Sequence, residues 1–138
     1  MEIKFHLALP CRDLGGTRSF YRDVIQAKLG RYAEKWLDVD IFGDPLTFAQ
    51  SGNFHCDFKN YRLENHILPS FHFGAIVPGN VWEGLYSRIS GLELESPGEA
   101  TFLEDGPGGH ISFFVKDPNG FMVGPKRFRD AKEIFSNG

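Results

Sequence analysis

Residues 70–77, SFHFGAIV, restate the opening of the chain, where residues 4–9 read KFHLAL. In both, a Phe-His pair sits in a short apolar run of the kind that forms a β-strand, with Ile3, Phe5, Leu7 and Leu9 alternating in the first copy. His6 and His72 are 66 positions apart, close to half of the 138 residues. The segments after the two pairs also match. Asp13 can cap a helix over 14–25, with Phe20, Tyr21 and Val24 as its buried stripe. Asn80, with Glu83 in the capping-box position, can cap a second helix that turns Val81, Trp82, Leu85 and Ile89 inward. Short strands come next, at 30–33, 36–42 and 46–50 in the first copy, and at 92–95, 100–103, 110–115 and 121–123 in the second. Each copy ends in a hairpin turned by Asp-Pro, at Asp44-Pro45 and at Asp117-Pro118. The order β-α-β-β-β, met twice, describes a duplicated module and an α+β fold class. The first module covers about 1–50 and the second about 69–128, within one domain. Residues 51–68 form an irregular linker, and a C-terminal tail, 129–138, can add a short helix.

Composition narrows the function classes. Hydrophobic residues make up 41% and charged residues 24%, as in a globular domain with a real core. The net charge is −3 and no stripe of Lys or Arg occurs, so neither nucleic acid nor an anionic membrane is an expected partner. No apolar stretch approaches a membrane span and the start lacks a secretory h-region, which makes the cytoplasm the expected location. Cys11 and Cys56 are then expected as free thiols. The 14 phenylalanines are the compositional oddity: Phe48, Phe73, Phe114 and Phe121 can wall either a core or a ligand cavity.

Residues 116–128, KDPNGFMVGPKRF, carry a conflict. Asp117-Pro118-Asn119-Gly120 is a strong reverse turn between two apolar runs, yet the second run is cut by Gly124-Pro125. Proline cannot donate within a sheet ladder, so the strand is expected to stop pairing there, at a sheet edge.

The segments FHLALPCRDLGGTRSFYRDVI (5–25), WLDVDIFG (36–43), PSFHFGAIV (69–77) and FFVKDPNG with Lys126 and Phe128 resemble the vicinal oxygen chelate superfamily. That group holds glyoxalases, bleomycin-resistance proteins and extradiol dioxygenases, and the likeness is greatest to its small bacterial dioxygenase-like members. The resemblance implies two βαβββ modules whose mixed sheets curl around a cleft, and homodimers are common in such a group. It also implies a divalent metal (Fe, Mn, Ni or Zn) held by first-strand histidines, which fall on His6 and His72 here. The last-strand carboxylate of the pattern Asp-Pro-x-Gly-x-x-x-Glu falls on Gly124, where this chain has no ligand.

Each candidate carries two readings. His6 and His72 are metal ligands or histidines satisfied by hydrogen bonds in the protein. Gln50 can complete a site through its amide oxygen or end a solvated strand. Lys126 can hold an anionic substrate or face solvent. His110, Phe48, Phe73 and Phe114 line a substrate cavity or belong to rim and core, and Glu104 and Asp105 are substitute carboxylates or a solvated turn. Two functions fit these residues. One is a metal-dependent dioxygenase or lyase acting on a small vicinal-oxygen substrate through Lewis acidity, with a degenerate metal site. The other is a metal-free protein that binds or sequesters a small molecule. A domain with a vestigial cleft is a third.

Overall fold

The computed structural model describes residues 1–63, 65–94, 98–102 and 108–136, and for 98–102 the backbone alone. Two compact units emerge, residues 1–57 with 117–120, and residues 58–116 with 121–138.

The first unit is a βαβββ module. Strand β1 (Leu7–Cys11) is followed by α1 (Leu14–Ser19), which widens into a π-helical turn over Phe20–Val24. Asp13 caps α1 as its sequence position predicts, its Oδ2 accepting from Gly16 N at 2.7 Å. Strands β2 (Lys28–Ala33), β3 (Trp36–Ile41) and β4 (Asp44–Gln50) complete a sheet of order β1-β4-β3-β2. The β1/β4 pair is parallel, running from Leu7 opposite Leu46 to Cys11 opposite Gln50. The alternation along β3 and β4 sends Leu37, Val39, Leu46 and Phe48 inward, where Phe20, Tyr21 and Ile25 are buried as well. Two expectations are corrected. Asp44 and Pro45 belong to β4, and the hairpin turns instead on Phe42-Gly43, both at positive φ, the geometry that matches strand twist in two-residue hairpins. The opening strand starts only at Leu7. Ile3 and Phe5 are exposed, because nothing in this unit receives their side of the alternation.

The second unit opens with a hairpin, β5 (Asn60–Leu63) against β6 (His66–Pro69), inside what the sequence suggests is an irregular linker. Mixed polar and apolar residues hide the period there. Strand β7 covers only His72–Phe73, and the backbone continues beside residues 124–126. Helix α2 (Gly79–Ser90) buries Trp82, Leu85 and Ile89, as their spacing predicts. Its cap is Pro78, so Asn80 lies inside the first turn and caps nothing. Residues 92–94 are not strand. Strands β8 (Gly98–Phe102), β9 (His110–Lys116), β10 (Met122–Val123) and β11 (Lys126–Phe128) build the sheet with β7. The tail forms a 3₁₀ turn at Ala131–Glu133.

The Gly124-Pro125 conflict resolves against the edge expectation. Along β9, Met122 faces Lys116, Val123 faces Val115, Lys126 faces Ser112 and Phe128 faces His110, one unbroken antiparallel register. Residues 122–128 are therefore a single strand with one rung missing at proline. On its other side Gly124 N donates to Phe73 O (2.7 Å), Lys126 N to Ala75 O (3.0 Å), and Val77 N to Lys126 O (2.8 Å). The only amide the ladder loses is the one proline never had, and Trp82 Nε1 donates to the Pro125 carbonyl at 3.1 Å.

The turn that precedes this strand belongs to the first unit. Asp117 Oδ1 accepts from Asn119 N (2.8 Å) and Gly120 N donates to Asp117 O (3.1 Å), with Gly120 at φ +92°. Tyr21 Oη donates to Asp117 Oδ2 at 2.8 Å. Asn119 accepts from Arg12 N through Oδ1 (2.8 Å) and donates through Nδ2 to Thr17 Oγ1 (3.1 Å). Thr17, Tyr21, Asp117 and Asn119 are all buried, so these bonds satisfy groups that water cannot reach. Burial, reinforced by the Asp117 charge, holds the Tyr21 phenol well above its usual titration range.

Candidate ligand site

The pleat of the second unit's sheet divides its residues cleanly. One face packs on α2: Phe113 meets Trp82 edge-on at 5.5 Å and Tyr86 at 5.4 Å, and Arg127 lies over Trp82. The other face collects the residues that alternate with these. They are His110, Ser112, Phe114 and Lys116 on β9, Met122, Gly124, Lys126 and Phe128 on the interrupted strand, and His72 beside Met122. Four sequence candidates, His72, His110, Phe114 and Lys126, thus share one face.

His72 is half-buried, and its Nδ1 lies 3.2 Å from the Pro69 carbonyl, which can only accept. The proton therefore sits on Nδ1 and Nε2 keeps its lone pair. Burial is the main cause that holds this imidazole below its usual pKa, and the Lys126 charge adds to it; the Pro69 carbonyl opposes both. Its ring meets Phe114 edge-on at 4.9 Å, and Phe114 and Leu68 form a buried cluster with Met122 packed against it. Lys126 is half-buried, its ammonium lowered from its usual pKa by desolvation. Among the described residues no carboxylate lies within ion-pair distance of it. His110 is half-buried, Nδ1 2.9 Å from Gly108 O, with its ring 5.0 Å from Phe128.

The remaining candidates lie elsewhere. Phe73 is in register with Val123, which faces Val115, and so takes the α2 side of the sheet. Phe48 is fully buried against Tyr21, 4.9 Å between ring centres, in the core of the first unit. Gln50 ends β4 with its Oε1 3.3 Å from the Leu14 amide, a cap-like contact at the start of α1. His6 is exposed in the segment before β1. Cys11 and Cys56 are free thiols, both raised in pKa chiefly by burial. Glu104 and Asp105 lie outside the described residues.

The position expected to supply a metal-binding carboxylate is sterically closed. A Cβ on Gly124 would stand 2.7 Å from Cδ1 and Cε1 of the Phe114 ring and 3.2 Å from the Phe113 carbonyl. A Cβ on Gly74 would overlap the Gly124 carbonyl. Two glycines let two backbones approach here, and the space a Glu side chain needs is filled by Phe114. Among the described residues no three His, Cys, Asp or Glu side chains are placed to hold a metal ion. Besides the His110 imidazole and the Ser112 hydroxyl, the face of His72 holds an aromatic ring, a thioether and the Lys126 ammonium, and no described carboxylate. Without a carboxylate to offset its charge, and beside an ammonium that repels it, a divalent metal fits this set poorly.

Met122, Ser112 and Phe128 join this face without having been singled out from the sequence. The signal was present in the even spacing of Met122, Gly124, Lys126 and Phe128, but Gly124-Pro125 reads as a strand end.

No family model matches the chain, and a search of curated proteins returns no match either. Solved structures do match. A glyoxalase/bleomycin resistance protein/dioxygenase from Alicyclobacillus acidocaldarius shares 25% identity at a TM-score of 0.79, over 96% of both chains. The fosfomycin resistance protein FosX from Listeria monocytogenes shares 17% at 0.66, covering 96% of this chain and 98% of its own. A lactoylglutathione lyase from Agrobacterium tumefaciens shares 15% at 0.63, covering 91% and 92%.

Proposed function

We infer, for a chain with the fold of the vicinal oxygen chelate superfamily, that it binds a small molecule without a metal, on the face of the second unit's sheet turned away from α2. The observation that carries this reading is the packing of Gly124 against Phe114, which fills the carboxylate position with a buried aromatic ring. Apolar contact would come from Met122 and Phe128, which keep partial exposure beside the buried Phe114. Polar recognition would come from the Lys126 ammonium, which has no carboxylate within ion-pair distance among the described residues, and the Nε2 of neutral His72. A flat apolar body with an oxygen-bearing, anionic end satisfies both sets. Lys126 is held on a strand bonded on both sides, so little order is lost when it meets a ligand.

The experiment is a melting series on untagged protein in chelator, with mandelate as an aryl carboxylate. A ligand that binds only the native state raises the apparent melting temperature with concentration. The reading expects that rise in the parent and its loss in Lys126→Ala. No rise, or an equal one in Lys126→Ala, refutes it.

One observation supports a second reading, a metal-assisted dioxygenase or lyase. The Pro69 carbonyl fixes the His72 proton on Nδ1, the arrangement that presents Nε2 to a metal. It requires stoichiometric metal that His72→Ala abolishes. Association of two copies is the expected state on the fold's precedent and is read by light scattering.

A further inference from the structure

We propose that Lys126 is a covalent site: its amine condenses with the carbonyl carbon of a small aryl oxo-acid to form an imine. The inference rests on the ligand face proposed above and names its substrate class. Three features of position distinguish this lysine. Its backbone is fixed in mid-sheet, bonded to Ala75 and Val77 on one side and in register with Ser112 on the other. Its side chain is half-buried on the face that also carries Met122 and Phe128. No described carboxylate lies within ion-pair distance of it, and, unlike Lys28, Lys35, Lys59 and Lys132, which also lack one, it is not exposed.

A surface lysine is a strongly hydrated point charge. One that loses hydration, with no counter-ion among the described residues, releases its proton more readily, and the free lone pair is the nucleophile. Desolvation acts in that direction here.

The step balances without a co-reactant. The Nζ lone pair adds to the carbonyl carbon and the C=O π pair moves to oxygen. The surplus proton on nitrogen passes to that oxygen, giving a carbinolamine. Protonation of the hydroxyl then expels water as the nitrogen lone pair forms C=N, so Lys–NH₂ and O=CR₂ become Lys–N=CR₂ and H₂O. Neutral His72 shares the face with Lys126, and its Nε2 lone pair can carry the proton between nitrogen and the leaving hydroxyl.

The test uses untagged full-length protein, phenylglyoxylate as the carbonyl probe and mandelate as the analogue that cannot condense. After borohydride reduction, peptide mass mapping is expected to find one modified lysine per chain, Lys126, at least about tenfold above any other lysine. Lys126→Arg keeps the charge and is expected to lose the adduct while melting as a folded protein. Adduct spread evenly over surface lysines, or none at all, overturns the proposal. Mandelate separates the two claims. If it stabilises the parent and no Lys126 adduct forms, the covalent step falls while the binding face stands. If neither compound stabilises the protein nor labels Lys126, both fall.

Discussion

Adding a single methyl group at Gly124 tests the geometry on which the functional reading depends. In Gly124→Ala the new Cβ falls 2.7 Å from two carbons of the Phe114 ring and 3.2 Å from the Phe113 carbonyl. Carbon atoms attract at about 3.5–4.0 Å, so a ring in a 3%-exposed position must move by most of an ångström. Overpacking of this kind costs about 1–3 kcal/mol. Against it stands the entropy gain of Gly→Ala where the backbone permits, about 0.4–1 kcal/mol. The net expectation is destabilisation by about 1–2 kcal/mol, or roughly 3–8 °C in melting temperature for a chain of this size. Gly84→Ala is the internal control. It lies in α2 with nothing within 4 Å of the added carbon, and is expected to stabilise by about 0.5–1 kcal/mol. Melting by circular dichroism reads both. Combining Gly124→Ala with Phe114→Leu should cost less than the sum of the single changes, by at least about 0.5 kcal/mol, because the two share one space. If Gly124→Ala is as stable as the parent, Phe114 does not fill that space, and a carboxylate at this position becomes sterically admissible.

The same structure carries two further expected outcomes. Tyr21→Phe removes the 2.8 Å bond to the buried Asp117 carboxylate and is expected to cost about 1.5–3 kcal/mol by denaturant melting; a change under about 0.5 kcal/mol would show that this network does not hold the turn. His72 should titrate below the usual 6.5 in NMR, since burial first and the Lys126 charge second disfavour its cation. Its unfolded form therefore binds protons before the folded form does. Stability is unaffected by His72 above pH 6.5 and falls as pH drops from there through the lower folded value, a slope that His72→Ala should remove. A midpoint at or above 6.5 contradicts the placement.

The parts of the fold legible in the sequence are those where one physical signal dominates. The Asp13 cap, the Trp82-Leu85-Ile89 stripe and the Asp117-Gly120 turn each rest on local chemistry, and each is found where the residues place it. The repeated βαβββ order is likewise readable, because duplication repeats every local signal at once. Misreadings occur where a tertiary partner decides. Pro45 and Pro125 look like punctuation, yet Pro45 lies within β4 and Pro125 interrupts a register that continues on both sides of it. Phe48 and Phe73 are indistinguishable from Phe114 in composition; only strand register sends Phe114 to the face of His72 and the other two to cores or to α2. His6 and His72 match as a sequence pair, but one precedes its strand and is exposed while the other is half-buried in a sheet. The missing carboxylate at Gly124 is legible only through the family resemblance, whose pattern counts that position from the turn. That Phe114 fills the position is not legible, because the contact joins neighbouring strands rather than neighbouring residues.

The central claim, a ligand face from which the metal position has been built out, is tested most directly by elemental analysis. Untagged protein would be equilibrated with Fe(II), Mn(II), Ni(II) and Zn(II) in turn and then desalted. The account predicts well under one equivalent of every metal, indistinguishable from His72→Ala treated in the same way. One equivalent per chain, retained by the parent and lost in His72→Ala, would contradict it.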